Sequence, residues 1–184
     1  MVDNSSTDNC NISTRSVSPN AFACSNLGSN AVVLTITDGS SNNGTCGATV
    51  TVADTTNPTA ICQDVTVQLD GGGNASVTTG MVDNSSTDNC NISTRSVSPN
   101  AFTCSNLGSN AVVLTITDGS SNNGTCGATV TVADTTNPTA ACQDVTVQLD
   151  GGGNASVTTG MVDNSSTDNC NLSLIHISEP TRRE

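Results

Sequence analysis

Apolar and polar positions alternate with a period of two along most of this chain, and that period is the signature of half-buried strands. Within residues 55–134 the first predicted strand runs over 62–69, with Val65, Val67 and Leu69 on one face and Thr66 and Gln68 on the other. Asp70 to Asn74 contains three consecutive Gly and reads as a turn, because Gly takes positive φ without steric cost. A second strand is predicted over 75–81, with Ala75, Val77, Thr79 and Met81 inward, and Asp83 to Asn89 follows as a polar loop. A weakly patterned third strand covers 91–97, and a short edge segment covers 99–102. After a turn at 105–110, Val112, Leu114 and Ile116 point inward from a strand over 111–118. A hairpin at 119–124 leads to the last strand, 125–132, with Cys126, Ala128, Val130 and Val132 inward. Short strands separated by turns every 8–12 residues predict an all-β sandwich. No segment sustains a 3.6-residue period, so helix content is expected near zero.

The same pattern recurs. Residues 1–80 and 81–160 align without a gap and differ only at Ala23/Thr103 and Ile61/Ala141; a third copy matches from Met161 through Asn171. A period of 80 residues fits a whole small domain rather than a solenoid unit. The segment Ala53 to Pro58, repeated at Ala133 to Pro138, interrupts strand pairing and is the natural linker. This phase predicts a partial module over 1–54, a complete one over 55–134 and a second partial one over 135–171. Met1 copies Met81, which falls inside a predicted strand, so it is not expected to be a biological start. Leu172 to Arg182 resembles the translation of a transposase-type sequencing adapter, so residues 172–184 read as a non-native tail. His176, within it, has no partner set for catalysis or metal binding.

Composition narrows the function. Before the tail the repeat contains 14 Asp and two Arg, no Glu, Lys or His, and a net charge of −12. That balance excludes nucleic-acid binding, which needs a basic footprint, and docking on anionic lipid. No apolar run approaches a membrane span. Trp and Tyr are absent and Phe is limited to Phe22 and Phe102, so stacking on sugars is disfavoured.

Nine Cys in so small an apolar inventory point to an oxidising compartment. A complete module carries Cys62, Cys90, Cys104 and Cys126. Their spacings of 28, 14 and 22 suit neither zinc nor a redox pair. Cys90 opens the third strand and Cys126 opens the last, so Cys90–Cys126 is the expected bridge, which leaves Cys62–Cys104. By the same phase Cys10 pairs with Cys46, while Cys24, Cys142 and Cys170 lack partners. Two bridges would supply much of the stability that an 80-residue module with a small core lacks.

The stretches Asp54 to Asp70, Ser86 to Cys90, Phe102 to Gly108, Val113 to Asp118 and Thr125 to Val132 resemble the hyalin-repeat (HYR) type of Ig-like domain. The likeness is to its bacterial form, found in long arrays on large secreted surface proteins, and it covers all 171 residues before the tail. It departs at the hairpin, where Gly119-Ser-Ser-Asn-Asn-Gly124 replaces the usual Asp-x-Asn-Gly. The resemblance implies tandem Ig-like sandwiches, an extracellular or cell-surface location, and a role as a stalk or in adhesion. It brings no catalytic residues.

The residues themselves give no enzyme. The repeat has no base to activate its many Ser and Thr, and its carboxylates are all Asp. Asp54, Asp83, Asp88 and Asp118 are the sharp feature, because strand order places all four at one end of a sandwich beside the preceding module. Clustered oxygen ligands at a junction suit Ca²⁺. The simpler reading, a solvated acidic rim with Asx-turns, is the one the pattern favours, since the spacing is not that of an EF-hand. Two functions stand: a structural stalk or adhesin built from identical beads, or an accessory ligand- or carbohydrate-binding module of a secreted enzyme. The expected partners are a surface ligand or neighbouring modules. The two partial modules are complementary pieces of one module, so association end to end between chains is expected.

Overall fold

The computed structural model describes residue 3 and residues 5–170. The adapter-like segment, with His176, lies outside the described residues. The fold is all-β, and its elements follow the alternation of the sequence. β1 (Ile12–Ser18), β2 (Gly28–Asp38) and β3 (Asn43–Val52) form an antiparallel sheet in that order. β4 (Val65–Gln68), β5 (Asn74–Ser76), β6 (Ile92–Ser98), β7 (Ala101–Thr103), β8 (Gly108–Asp118) and β9 (Asn123–Ala133) follow. They make a four-stranded sheet ordered β4-β9-β8-β6 and a two-stranded one, β5-β7. β6, β8 and β9 are the period-80 copies of β1, β2 and β3.

The chain divides into two compact units. One comprises Met1–Ala60, Ser86–Arg95 and Thr115–Thr125; the other comprises Ile61–Ser85, Ser96–Leu114 and Cys126–Glu184. In the first unit Val32, Leu34 and Ile116 are buried. In the second, Val67, Leu69, Val77, Val82, Phe102, Val112, Leu114, Val130 and Val132 are buried. Alternate residues of β8 and β9 fill these cores, as the period-2 reading requires. β4 joins β9 in parallel, with Val65 opposite Val130 and Val67 opposite Val132.

One predicted strand is largely replaced. The expected inward run to Met81 ends at Ser76, and Thr79–Val82 forms a single helical turn, α1, copied as α2 at Thr159–Val162. The turn is held by Asp83 N–H donating to the Thr79 carbonyl at 2.8 Å, and Gln63 N–H donates to the Val82 carbonyl at 2.9 Å. It delivers Val82, not Met81, to the core. Val77 and Val82 are five apart, a spacing that a two-residue period cannot register.

The disulfide pairing also differs. The bridges are Cys24–Cys90, Cys62–Cys126 and Cys104–Cys170, and Cys10, Cys46 and Cys142 are free. Cys90–Cys126, Cys62–Cys104 and Cys10–Cys46 do not form. The reason is strand order. Cys90 enters β6, which β8 separates from β9, so two strand spacings, about 10 Å, lie between it and the start of β9. A disulfide reaches only about 4.4–6.8 Å between Cα atoms. Cys62 instead precedes β4, whose parallel register on β9 carries it to Cys126, with Cα atoms 5.9 Å apart.

Candidate functional site

In the phase that puts linkers at Ala53 to Pro58 and at Ala133 to Pro138, Cys24–Cys90 and Cys104–Cys170 cross from one stretch to the next, whereas Cys62 and Cys126 fall in the same one. The two crossing bridges span 66 residues, with Cα separations of 5.4 and 5.3 Å. Adding 80 to each half of the first bridge gives the second. The same bridge therefore recurs once per 80-residue period, and each lies wholly within one compact unit. Each Cys24-type residue opens a short 3₁₀ turn, Cys24–Asn26 or Cys104–Asn106. Each Cys90-type residue ends the Asp-Asn-Cys loop.

The first joint, Cys24–Cys90 with the linker Ala53 to Pro58, carries the acidic cluster. Asp54 follows β3, Asp88 lies in the loop before β6, and Asp118 ends β8. One carboxylate oxygen from each lies within 4.8 Å of the others. Asp118 is only 3% exposed. It accepts hydrogen bonds from the Ser120 and Asn122 amides at 2.8 and 2.7 Å, and from Asn122 Nδ2 at 2.7 Å. Burial pushes its pKa up, but the Asn122 side chain and the amides of the turn outweigh that and hold it below the usual carboxylate value. Asp88 Oδ2 caps the Cys90 and Asn91 amides at 2.9 and 3.0 Å. Its Oδ1 is shut from solvent with no hydrogen-bond partner. Asp54 Oδ1 accepts from Asn89 Nδ2 at 3.2 Å, and the Asp54 carbonyl accepts from Asn122 Nδ2 at 3.1 Å.

Around this cluster the linker is seated closely. Thr59 and Thr87 exchange backbone hydrogen bonds of 2.8 and 3.0 Å. Gly124 has no side chain, and a Cβ there would collide with the Pro58 carbonyl.

The second joint repeats the arrangement with the copied residues. Asn169 Nδ2 donates to Asp134 Oδ1 and to the Asp70 carbonyl, both at 3.1 Å. Asp168 Oδ2 accepts from the Cys170 amide at 3.2 Å. Asp168 Oδ1 and Asn169 Oδ1 are buried without partners. Gly73, at φ +74°, admits this contact: a Cβ there would stand 2.6 Å from both the Asn169 carbonyl and Cys104 Sγ. The turn before it is fastened by Asp70, whose carboxyl is held low by the Asn74 and Gly72 amides.

Of the four Asp residues expected at one end, Asp54, Asp88 and Asp118 come together and Asp83 does not. Asp83 follows α1 and is tied by a backbone bridge to Cys62. The short helix that period-2 reading overlooks is what places Asp83 elsewhere. The Cys24–Cys90 type of bridge has a different signal: Cys10, Cys24, Cys46, Cys62 and Cys90 each have an equivalent 80 residues on, so a partner across a linker is as available as one between linkers.

No family model and no curated protein matches the chain, so the hyalin-repeat resemblance rests on the motifs quoted above. Among solved structures, the chain is similar to one described as protocadherin gamma B7 extracellular cadherin domains 1–4. Identity is 14%, the match covers 75% of this chain and 46% of that one, and the TM-score is 0.38. It is also similar to the protocadherin gamma B4 extracellular domain, at 20% identity, with 73% of this chain and 28% of that one covered and a TM-score of 0.36. The chain thus spans less than half the length of either, and overlaps this loose establish no common fold.

Proposed function

We propose that this chain is part of a non-catalytic, disulfide-jointed array of β-sandwich modules that serves as a stalk or adhesive surface outside the cell. The observation that carries the reading is the repetition of one bridge across a linker, Cys24–Cys90 and Cys104–Cys170, at the same 66-residue separation. Each closes a loop worth about 4 kcal/mol in the chain-entropy model, and each fixes the stretches on either side of a linker covalently to each other. A flexible string of beads has no need of such joints; a stiff spacer does. Structural disulfides persist in oxidising surroundings, which supports an extracellular or cell-surface location.

Ca²⁺ is the cation this reading would assign to the first joint. Asp54, Asp88 and Asp118 offer only hard oxygen donors, and the occluded, unpartnered Asp88 Oδ1 is the specific observation in its favour. The alternative, a carbohydrate-binding accessory module, has less support, because the chain has no Trp or Tyr, Phe102 is buried, and only the half-exposed Phe22 could stack on a sugar.

The test is limited proteolysis of the full chain, read on denaturing gels with and without reductant. The proposal expects the fragments on either side of a cut between Cys24 and Cys62, or between Cys126 and Cys170, to stay joined until the bridges are reduced. Fragments that separate without reductant would count against a jointed array.

A further inference from the structure

The Asn of each Asp-Asn-Cys loop touches both the bridge and the linker. In the first joint the Asn89 carbonyl lies 3.6 Å from Cys24 Sγ, and Asn89 Nδ2 donates to Asp54 Oδ1 at 3.2 Å. In the second the Asn169 carbonyl lies 3.3 Å from Cys104 Sγ, and Asn169 Nδ2 donates to Asp134 Oδ1 at 3.1 Å. Each amide reaches a carboxylate 35 residues away in the chain. The linker aspartates are aimed by their own turns, since Asp54 Oδ1 accepts from the Thr56 amide and Asp134 Oδ1 from the Thr136 amide, both at 3.0 Å. Two residues before each Asn the same loop holds the linker again: Thr87 exchanges backbone hydrogen bonds with Thr59, and Thr167 with Thr139, at 2.7 to 3.0 Å. One loop thus grips each linker at two points, Asp54 and Thr59 or Asp134 and Thr139.

Composition explains why an amide makes this contact. Each copy has one Arg, at Arg15 in β1 or Arg95 in β6, and no Lys or His. A linker carboxylate therefore meets a neutral donor, and a hydrogen bond to an ionised acceptor is stronger than one between two neutral groups. A carboxylate in place of the amide would face the linker aspartate with like charge. We propose that Asn89 and Asn169 are positioning residues that lock the linker onto the loop beside the bridge. The disulfide keeps the stretches on either side of the linker together, and the amide fixes where the linker lies against them. This role deepens the jointed-array reading and rests on it for its purpose; the contacts of each Asn fall within one compact unit.

Exchanging the two partners separates this role from a general need for Asn89. Asn89→Asp removes the donor and adds a carboxylate beside Asp54, Asp88 and Asp118, which already stand within reach of one another. Combining it with Asp54→Asn restores the contact with its polarity reversed. The amide at position 54 then donates to the carboxylate at position 89, its oxygen still accepts from the Thr56 amide, and the net charge returns to −12. Asn122 Nδ2, which donates to the Asp54 carbonyl at 3.1 Å, keeps its bond in both variants because it reads the backbone.

The test is hydrogen exchange of the full oxidised chain, read by mass spectrometry in the presence of a chelator, so that no bound cation contributes. Ile61 distinguishes the peptide carrying Thr59 from its copy carrying Thr139, where Ala141 stands. Asn89→Asp should lower protection of the Thr59 peptide about five- to tenfold, the loss of one hydrogen bond to a charged group, and leave the Thr139 peptide and β8 as in wild type. Asn89→Asp with Asp54→Asn should return protection to within about twofold of wild type. Asn169→Asp should move the loss to the Thr139 peptide. Peptide mapping without reduction follows the Cys24–Cys90 bond in the same samples, and its presence in wild type tests the array reading separately. Unchanged Thr59 protection in Asn89→Asp would overturn the proposal, as would a double variant no better than the single one. Loss of the Cys24–Cys90 bond in Asn89→Asp would overturn it too, because the amide would then serve the bridge and not the linker.

Discussion

Replacing both Cys62 and Cys126 by Ser removes the one bridge whose two halves fall between the linkers at Ala53 to Pro58 and Ala133 to Pro138. The bridge closes a loop with a sequence separation of 64 residues, and the chain-entropy relation assigns that loop about 4 kcal/mol. A folded unit of about 80 residues is stable by only about 4–12 kcal/mol, so the loss would take a third or more of that. The structure says where it should be felt. β4 has four residues and hangs on the edge of its sheet by the parallel pairing with β9, and the bridge pins the chain just before it. The assay is urea denaturation in a background with Cys10, Cys46 and Cys142 changed to Ser, which prevents reshuffling. With a slope of about 2 kcal/mol per molar, the midpoint should fall by about 2 M. Hydrogen exchange adds a local reading: the Leu69 amide, which donates to the Ala133 carbonyl at 2.9 Å, should lose protection well before the amides of β8. A change below about 1 kcal/mol, or uniform loss of protection across β4 and β8, would refute the reasoning.

The other expectations are as follows. Gly73→Ala should cost about 1–3 kcal/mol, because it adds a backbone collision with Asn169 to the strain of φ +74°; Gly153→Ala, at φ +79° in open space, should cost only about 1 kcal/mol. Thermal melts of the two variants compare them directly, and equal losses would deny the close contact at the second joint. Asp118 and Asp70 both have carboxyl pKa values lowered from 3.8, so their stabilisation is full above that value and is lost as pH falls through the lower folded value. Melting temperature should therefore be flat from pH 7 to pH 5 and drop on acidification below about pH 4, with Asp118→Asn flattening the acid limb. Ca²⁺ should raise the melting temperature of the full chain over the same protein in chelator, and Asp88→Asn should abolish most of the rise; a rise unchanged in Asp88→Asn would place the ion elsewhere.

Sequence alternation was a sound guide wherever a strand runs long enough to show its two faces. β8 and β9, of eleven residues each, were legible to within a few residues, and so was the turn between them, because Val112, Leu114 and Ile116 leave only one register that buries them. β4 was legible at 65–68 but misleading at 145–148. The residues there are the same, yet a four-residue edge strand exists only where a neighbour supplies its hydrogen bonds. α1 escaped because one turn of helix is shorter than the period needed to detect it, and Asp83 was misplaced with it. Three of the four junction carboxylates were found because strand ends alone fix Asp54, Asp88 and Asp118. The disulfides depend on lateral strand order, and nothing in an antiparallel reading reveals that β4 lies parallel beside β9 while β6 stands two places away.

The most direct measurement is the disulfide map of the full chain, obtained by proteolysis and mass spectrometry without reduction after equilibration in a glutathione buffer and alkylation of free thiols. The expected bonds are Cys24–Cys90, Cys62–Cys126 and Cys104–Cys170; the Ala23/Thr103 and Ile61/Ala141 differences tell Cys24 from Cys104 and Cys62 from Cys142, and Cys10→Ser and Cys46→Ser variants assign Cys90 and Cys126, whose flanks repeat theirs. Cys90 joined to Cys126, or Cys62 joined to Cys104, would confine the bridges to the stretch between the two linkers and contradict a covalently jointed array.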